Sequence, residues 1–97
     1  MYVDRLIQFL KAAENDHRIG TAHIAVYASL FEMWCANDGK DPVSFNRETI
    51  MRVAKVQSRS TYYSCMRTLH NGGYIRYLPS HCAVLENLVW MDGKRTS

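Results

Sequence analysis

Apolar residues at Val3, Leu6, Ile7 and Leu10 recur at the i, i+3, i+4, i+7 spacing that lines one stripe of an α-helix. The chain therefore opens with an amphipathic helix, ending near Asn15. Asn15, Asp16 and Gly20 break the pattern, and Thr21 stands where an N-cap hydroxyl is wanted. From Ala22 onward Ile24, Tyr27, Ala28, Phe31, Trp34 and Cys35 share one face, and Leu30 and Met33 widen it beyond what a solvent-facing helix carries. This second helix is expected to be the central one of the core.

Turn chemistry in Asn37, Asp38 and Gly39, followed by Pro42, leads into Val43, Ser44 and Phe45, long enough only for a short strand. Asn46 offers its side chain as the N-cap of a third helix, with Glu48 favourably placed in the first turn and Ile50, Met51, Val53 and Ala54 as its apolar positions. After a three-residue turn, Lys55, Val56 and Gln57, the Ser58 hydroxyl caps a fourth helix. Its apolar positions Tyr62, Cys65, Met66 and Leu69 repeat the spacing of the first, and Gly72 and Gly73 end it. Tyr74 to Leu78 then form a strand, Pro79 to Ala83 a loop and Val84 to Met91 a second strand.

This order of elements predicts a mainly α fold with a small antiparallel β wing (α+β), a winged helix-turn-helix. Residues 1–18 hold the N-terminal amphipathic helix, 19–92 the winged helix-turn-helix domain and 93–97 a frayed tail. At 97 residues the chain suffices for one core and is too short for two. No apolar run approaches the roughly 20 residues of a membrane span, and the first residues carry acids where a signal peptide carries bases, so no membrane partner and a cytoplasmic location are expected. The three cysteines, Cys35, Cys65 and Cys82, are too widely spaced for a paired metal knuckle and odd in number for a disulfide framework.

Charge changes the picture more than composition does. The net charge is only +3, yet residues 47–76 hold Arg47, Arg52, Lys55, Arg59, Arg67 and Arg76 against Glu48 alone, while the rest of the chain is net acidic. A confined basic surface calls for an anionic partner. At 100° per residue the arc of the fourth helix opposite Tyr62 and Leu69 contains Ser60, Ser64, Arg67 and Asn71, flanked by Thr61 and Tyr63, with no carboxylate. Slim polar side chains there let a helix approach a groove of double-stranded DNA, the expected partner. The candidate contacts are Gln57, Ser58, Arg59, Ser60, Thr61, Tyr63, Ser64 and Arg67, with Arg52 and Lys55 toward phosphates and Arg76 and Tyr77 reaching from the wing. Taken singly, Ser58 is equally an N-cap, Ser60 and Ser64 surface residues and Tyr63 packing; the DNA reading rests on the set.

No H-E-x-x-H, Gly-rich phosphate loop or G-x-S-x-G is present, so no enzyme activity is expected. His81 and Cys82 are neighbours in an expected loop and would point apart, and with His17, His23 and His70 they make no convincing chelate. Neither a metal nor a cofactor is expected, and His70 reads as a helix-surface or cap residue.

The segments "RIGTAHIAVYASLFEMW", "PVSFNRETIMRVAKV" and "SRSTYYSCMRTLHNGGYIRYLPS" resemble small bacterial winged-helix proteins of conjugative transposons and prophages, usually labelled transcriptional regulators. The resemblance implies the winged-helix fold and DNA binding, and points to Arg59, Ser60, Thr61 and Tyr62 as the head of the recognition helix. Tyr62 nevertheless lies on the apolar stripe and is expected in the core. After Ser80 the likeness stops: His81, Cys82 and Ala83 stand where such proteins tend to have a turn of Asn, Pro, Phe and Gly. The expected role is a transcriptional regulator or accessory factor of a mobile element; the alternative is a winged-helix module that binds protein and no nucleic acid. Val3, Leu6, Ile7 and Leu10 are either a homodimer interface or the cover over Trp34 and Phe31, and the sequence leaves both open.

Overall fold

Helix starts follow local hydrogen bonding. In the computed structural model, which describes residues 2–80 and 86–92, the elements in chain order are α1 (Val3–Glu14), α2 (Thr21–Ala36), β1 (Val43–Phe45), α3 (Arg47–Ala54), α4 (Arg59–Asn71), β2 (Arg76–Leu78) and β3 (Asn87–Trp90). Asn46 Oδ1 accepts the Glu48 N–H (2.8 Å) at the start of α3, and Ser58 Oγ accepts the Thr61 N–H (3.1 Å) at the start of α4. At α2 the expected cap moves back one residue. Gly20 is the N-cap and its N–H donates to Nδ1 of His23 (3.0 Å), so Thr21 enters the helix.

Both α3 and α4 end by the same device. Lys55 adopts a left-handed conformation (φ 62°) and Val56 N–H reaches back to the Met51 carbonyl (2.9 Å); Gly73 (φ 80°) does the same while Tyr74 N–H reaches Leu69 (3.0 Å).

The result is a small α+β domain of four helices and a three-stranded antiparallel sheet in the order β1-β3-β2. The short strand β1 joins the β2–β3 hairpin: Val43 faces Val89 across one ladder, and Tyr77 faces Val89 across the other. The expected loop and strand residues 81–85 and the tail 93–97 lie outside the described residues.

Helix α2 is indeed central, packing against both α3 and α4. Its buried arc differs from the expected one, being Val26, Tyr27, Ser29, Leu30 and Trp34, whereas Ile24 and Ala28 are exposed and Phe31 and Cys35 half-buried. A helix apolar on nearly every side has no face that periodicity alone can choose. Ser29 is accommodated because its hydroxyl donates to the Ala25 carbonyl (2.9 Å).

The stripe on α1 is divided. Phe9 stacks flat on Tyr27 (centroids 3.7 Å apart) and Ala13 is buried beside it, while Leu6 is half-buried and Val3, Ile7 and Leu10 stay exposed. Phe9 brings the larger apolar ring to the core and so sets the helix's rotation. Trp34 is covered instead by Tyr2, edge-on at 5.1 Å, and by the Arg5 guanidinium at 4.8 Å.

Two polar ties hold the ends in place. Arg5 Nη1 donates to the Met91 carbonyl (2.9 Å) and Asp41 Oδ1 accepts the Met91 N–H (2.8 Å), fastening the end of β3 to α1. Asp16 receives Arg18 Nε (3.0 Å), Arg18 Nη2 (2.8 Å) and the Tyr74 hydroxyl (2.6 Å), fastening the α1–α2 connection to the chain after α4.

The Arg18 guanidinium, then the Tyr74 hydroxyl, hold the Asp16 carboxyl far below the usual carboxylate range. A carboxyl depressed in the folded state stabilises above its unfolded pKa, and that contribution fades as pH falls from there toward the folded value. Asp16→Asn is therefore expected to lower the unfolding midpoint at pH 7. Its deficit relative to the parent should shrink below about pH 4, where unfolded aspartates take up protons. Thermal melts over that range measure it, and a deficit independent of pH would contradict the assignment.

Candidate nucleic-acid interface

The outward side of α4 is set by its inward side. Tyr62, Cys65, Met66 and Leu69 are buried, so Arg59, Ser60, Thr61, Tyr63, Ser64, Arg67 and Asn71 all face solvent. Tyr62 has no exposure at all, in keeping with its place on the apolar stripe. In the turn between α3 and α4, Val56 is buried as an anchor, and Lys55, Gln57 and Ser58 remain exposed. Arg52 is exposed on α3. Of the twelve expected contact residues, the ten from Arg52 to Arg67 are all exposed.

Arg76 and Tyr77 behave differently. Neighbouring residues of a strand point to opposite faces, and here Arg76 lies over Trp90 (5.7 Å) while the Tyr77 ring packs near Tyr62 and Phe45. The Tyr77 hydroxyl lies 3.3 Å from both the Tyr62 hydroxyl and Asn87 Oδ1. Arg76 and Tyr77, expected to reach phosphates from the wing, are thus both half-buried and engaged within the domain.

Three features escape sequence reasoning. Arg47 donates to the Tyr63 hydroxyl (2.9 Å) and to Glu48 (2.6 Å), which pins the Tyr63 ring; the same bond holds the Glu48 carboxyl below its ordinary value. His70, expected as a surface or cap residue, accepts the Tyr77 N–H at Nδ1 (3.1 Å) and links α4 to β2. The start of α2 opens onto the start of α4: Thr21, Ala22 and Ala25 line one groove of about 490 Å³ with Lys55, Gln57, Ser58 and Thr61. Helices α1 and α3 carry an acid in the first turn, Asp4 and Glu48, whereas α2 and α4 carry none. Helix N-termini are partially positive, and with no first-turn acid to offset them this groove favours anions beyond what Lys55 contributes. The absence of acids was legible in the sequence, but the meeting of the two ends was not.

Other chemistry is sparse. Burial pushes the Cys65 thiol upward, away from the reactive thiolate. Among the described residues no group of three His, Cys, Asp or Glu side chains could hold a metal ion, and no helix is long and apolar enough to cross a membrane. No family model, curated protein or solved structure matches this chain.

Lys55 sits in a backbone region that costs a non-glycine residue about 1–2 kcal/mol. Glycine removes that strain but gains freedom in the unfolded chain, so Lys55→Gly should raise stability by about 0.5–1 kcal/mol. Urea denaturation measures the change; a loss of stability would show that the lysine side chain, through contacts of its own, outweighs the strain.

Proposed function

We propose that this chain is a winged helix-turn-helix protein that binds double-stranded DNA, with α4 as the recognition helix and the β2–β3 hairpin as the wing. The observation that carries the reading is the acid-free arc of α4, continuous with the groove where two helix N-termini without a first-turn acid meet Lys55. Serine and threonine at the head of α4 allow close approach, Arg59 and Arg67 supply long cationic donors, and Arg52 and Lys55 face the backbone phosphates. Binding alone is the proposed activity, without metal or cofactor, in a cytoplasmic regulator or accessory factor of a mobile genetic element.

Each phosphate contact releases counterions, so binding to a random duplex should fall steeply with salt. Arg59→Ala with Arg67→Ala should weaken binding at every salt concentration and lower the slope of log affinity against log salt by up to about two units. Fluorescence anisotropy at several salt concentrations measures both. A folded parent that binds no duplex at low salt would remove the reading and favour a protein-binding module instead. Lys55→Gly serves as the control for folding, since it should bind less tightly while unfolding less readily.

We also propose that two copies pair through α1, because specific sites are commonly read as half-sites about one helical turn apart by dimers. The exposed Val3, Ile7 and Leu10 are the surface for it, well separated in sequence from the basic window. Ile7→Glu with Leu10→Glu touches only exposed positions, so the variant should remain folded by circular dichroism and sediment as a monomer. A parent that is monomeric at high concentration ends the idea.

A further inference from the structure

Beside the acid-free arc lies a cleft of about 310 Å³ between α4 and β2, lined by Tyr63, Arg67, His70, Tyr77 and Pro79. Its α4 wall follows from spacing: Tyr63, Arg67 and His70 fall at i, i+4 and i+7 and stand in one row. Its other wall is the Tyr77 ring and Pro79 at the end of the strand.

The two tyrosines are held in position by bonds to residues that do not line the cleft. Tyr63 is held by Arg47, whose Nη1 donates to its hydroxyl, and Tyr77 is held through its hydroxyl contacts with Tyr62 and Asn87. Their hydroxyls are therefore engaged elsewhere, and what the two tyrosines offer the cleft is the ring surface left uncovered by Tyr62, Phe45 and Arg47. His70 accepts the Tyr77 N–H at Nδ1, which requires the neutral ring to carry its proton at Nε2 and makes that nitrogen a donor. Arg67 adds a guanidinium, and among the described residues no carboxylate lines the cleft.

Two aromatic surfaces, an N–H donor and a cation around a space at the lower end of the small-molecule range suit one planar ring with an anionic group attached. A paired base offers neither of its faces, since both are stacked in the duplex; an unpaired one offers both a face and its adjoining phosphate. We propose that this cleft takes a single unpaired nucleotide of the bound DNA, its base against Tyr63 and Tyr77 and its phosphate on Arg67. The proposal rests on the DNA-binding reading and sharpens it: the preferred substrate is a duplex interrupted by an unpaired base.

Three duplexes alike except at one central position test this with the 97-residue chain: fully paired, carrying one bulged thymidine, or carrying one bulged abasic residue. The abasic bulge keeps the bend and removes the base. The thymidine bulge is expected to bind about tenfold more tightly than either of the others, as one base stacked on an aromatic side chain allows. Tyr63→Phe keeps the ring but loses the Arg47 bond that positions it and should keep most of that ratio, whereas Tyr63→Ala should bring it close to one, both variants being checked for folding by circular dichroism. An abasic bulge that binds as tightly as the thymidine bulge would overturn the proposal in favour of simple bendability. Equal affinity for all three duplexes would overturn it while leaving duplex binding intact. Binding to none would remove the DNA reading and the cleft's role together.

Discussion

The complete burial of Tyr62 governs what α4 can present. A large aromatic side chain removed from water contributes roughly 2–3 kcal/mol, and a solvent-screened surface ion pair such as Arg47 with Glu48 contributes far less. The rotation of α4 is therefore decided on its inner side, by Tyr62 with Cys65, Met66 and Leu69, and the outer row of hydroxyls and arginines is its consequence. Burial also pushes the Tyr62 hydroxyl far above its ordinary pKa, and its contact with Tyr77 (3.3 Å) carries the constraint across to the sheet. One buried ring thus orients the helix and sets one wall of the neighbouring cleft.

Around that centre the chain uses polar side chains to hold segments that have little apolar surface of their own. Met91 has both backbone groups bound by side chains distant in sequence, from Arg5 and Asp41, at the point where β3 leaves the sheet. Tyr74, at the exit of α4, packs edge-on against Phe9 at 5.3 Å while its hydroxyl reaches Asp16. Phe9 in turn stacks on Tyr27. This chain of contacts fixes α1 against the core along Phe9 and Ala13, and the rest of its apolar stripe is left outside. The division accounts for a helix that is amphipathic in sequence yet exposes Val3, Ile7 and Leu10.

Much of the α-helical part was legible without coordinates because it depends on short-range rules. The caps at Asn46 and Ser58 act over two or three residues, and Gly73 takes the left-handed position where helix ends favour glycine. The exposed residues of α4 follow from a period of 3.6 applied to a stripe that is apolar on one side only. The same rule failed on α2, where apolar residues surround the helix, and on α1, where Phe9 outweighs the regular stripe.

What the amino-acid order determined by itself is therefore local: where helices start and stop, which arc of α4 is polar, and that the net positive excess is confined to residues 47–76. Only the tertiary structure decided which residues meet across elements. It joined β1 to the β2–β3 hairpin, sent Arg76 and Tyr77 to opposite faces, tied His70 to Tyr77 and Arg47 to Tyr63, and brought the start of α2 against the start of α4. The physical reason is range. Capping and periodicity are satisfied within a few residues of one another, whereas these meetings depend on the packing of whole elements around Tyr62, Val26 and Leu30, which no single segment specifies.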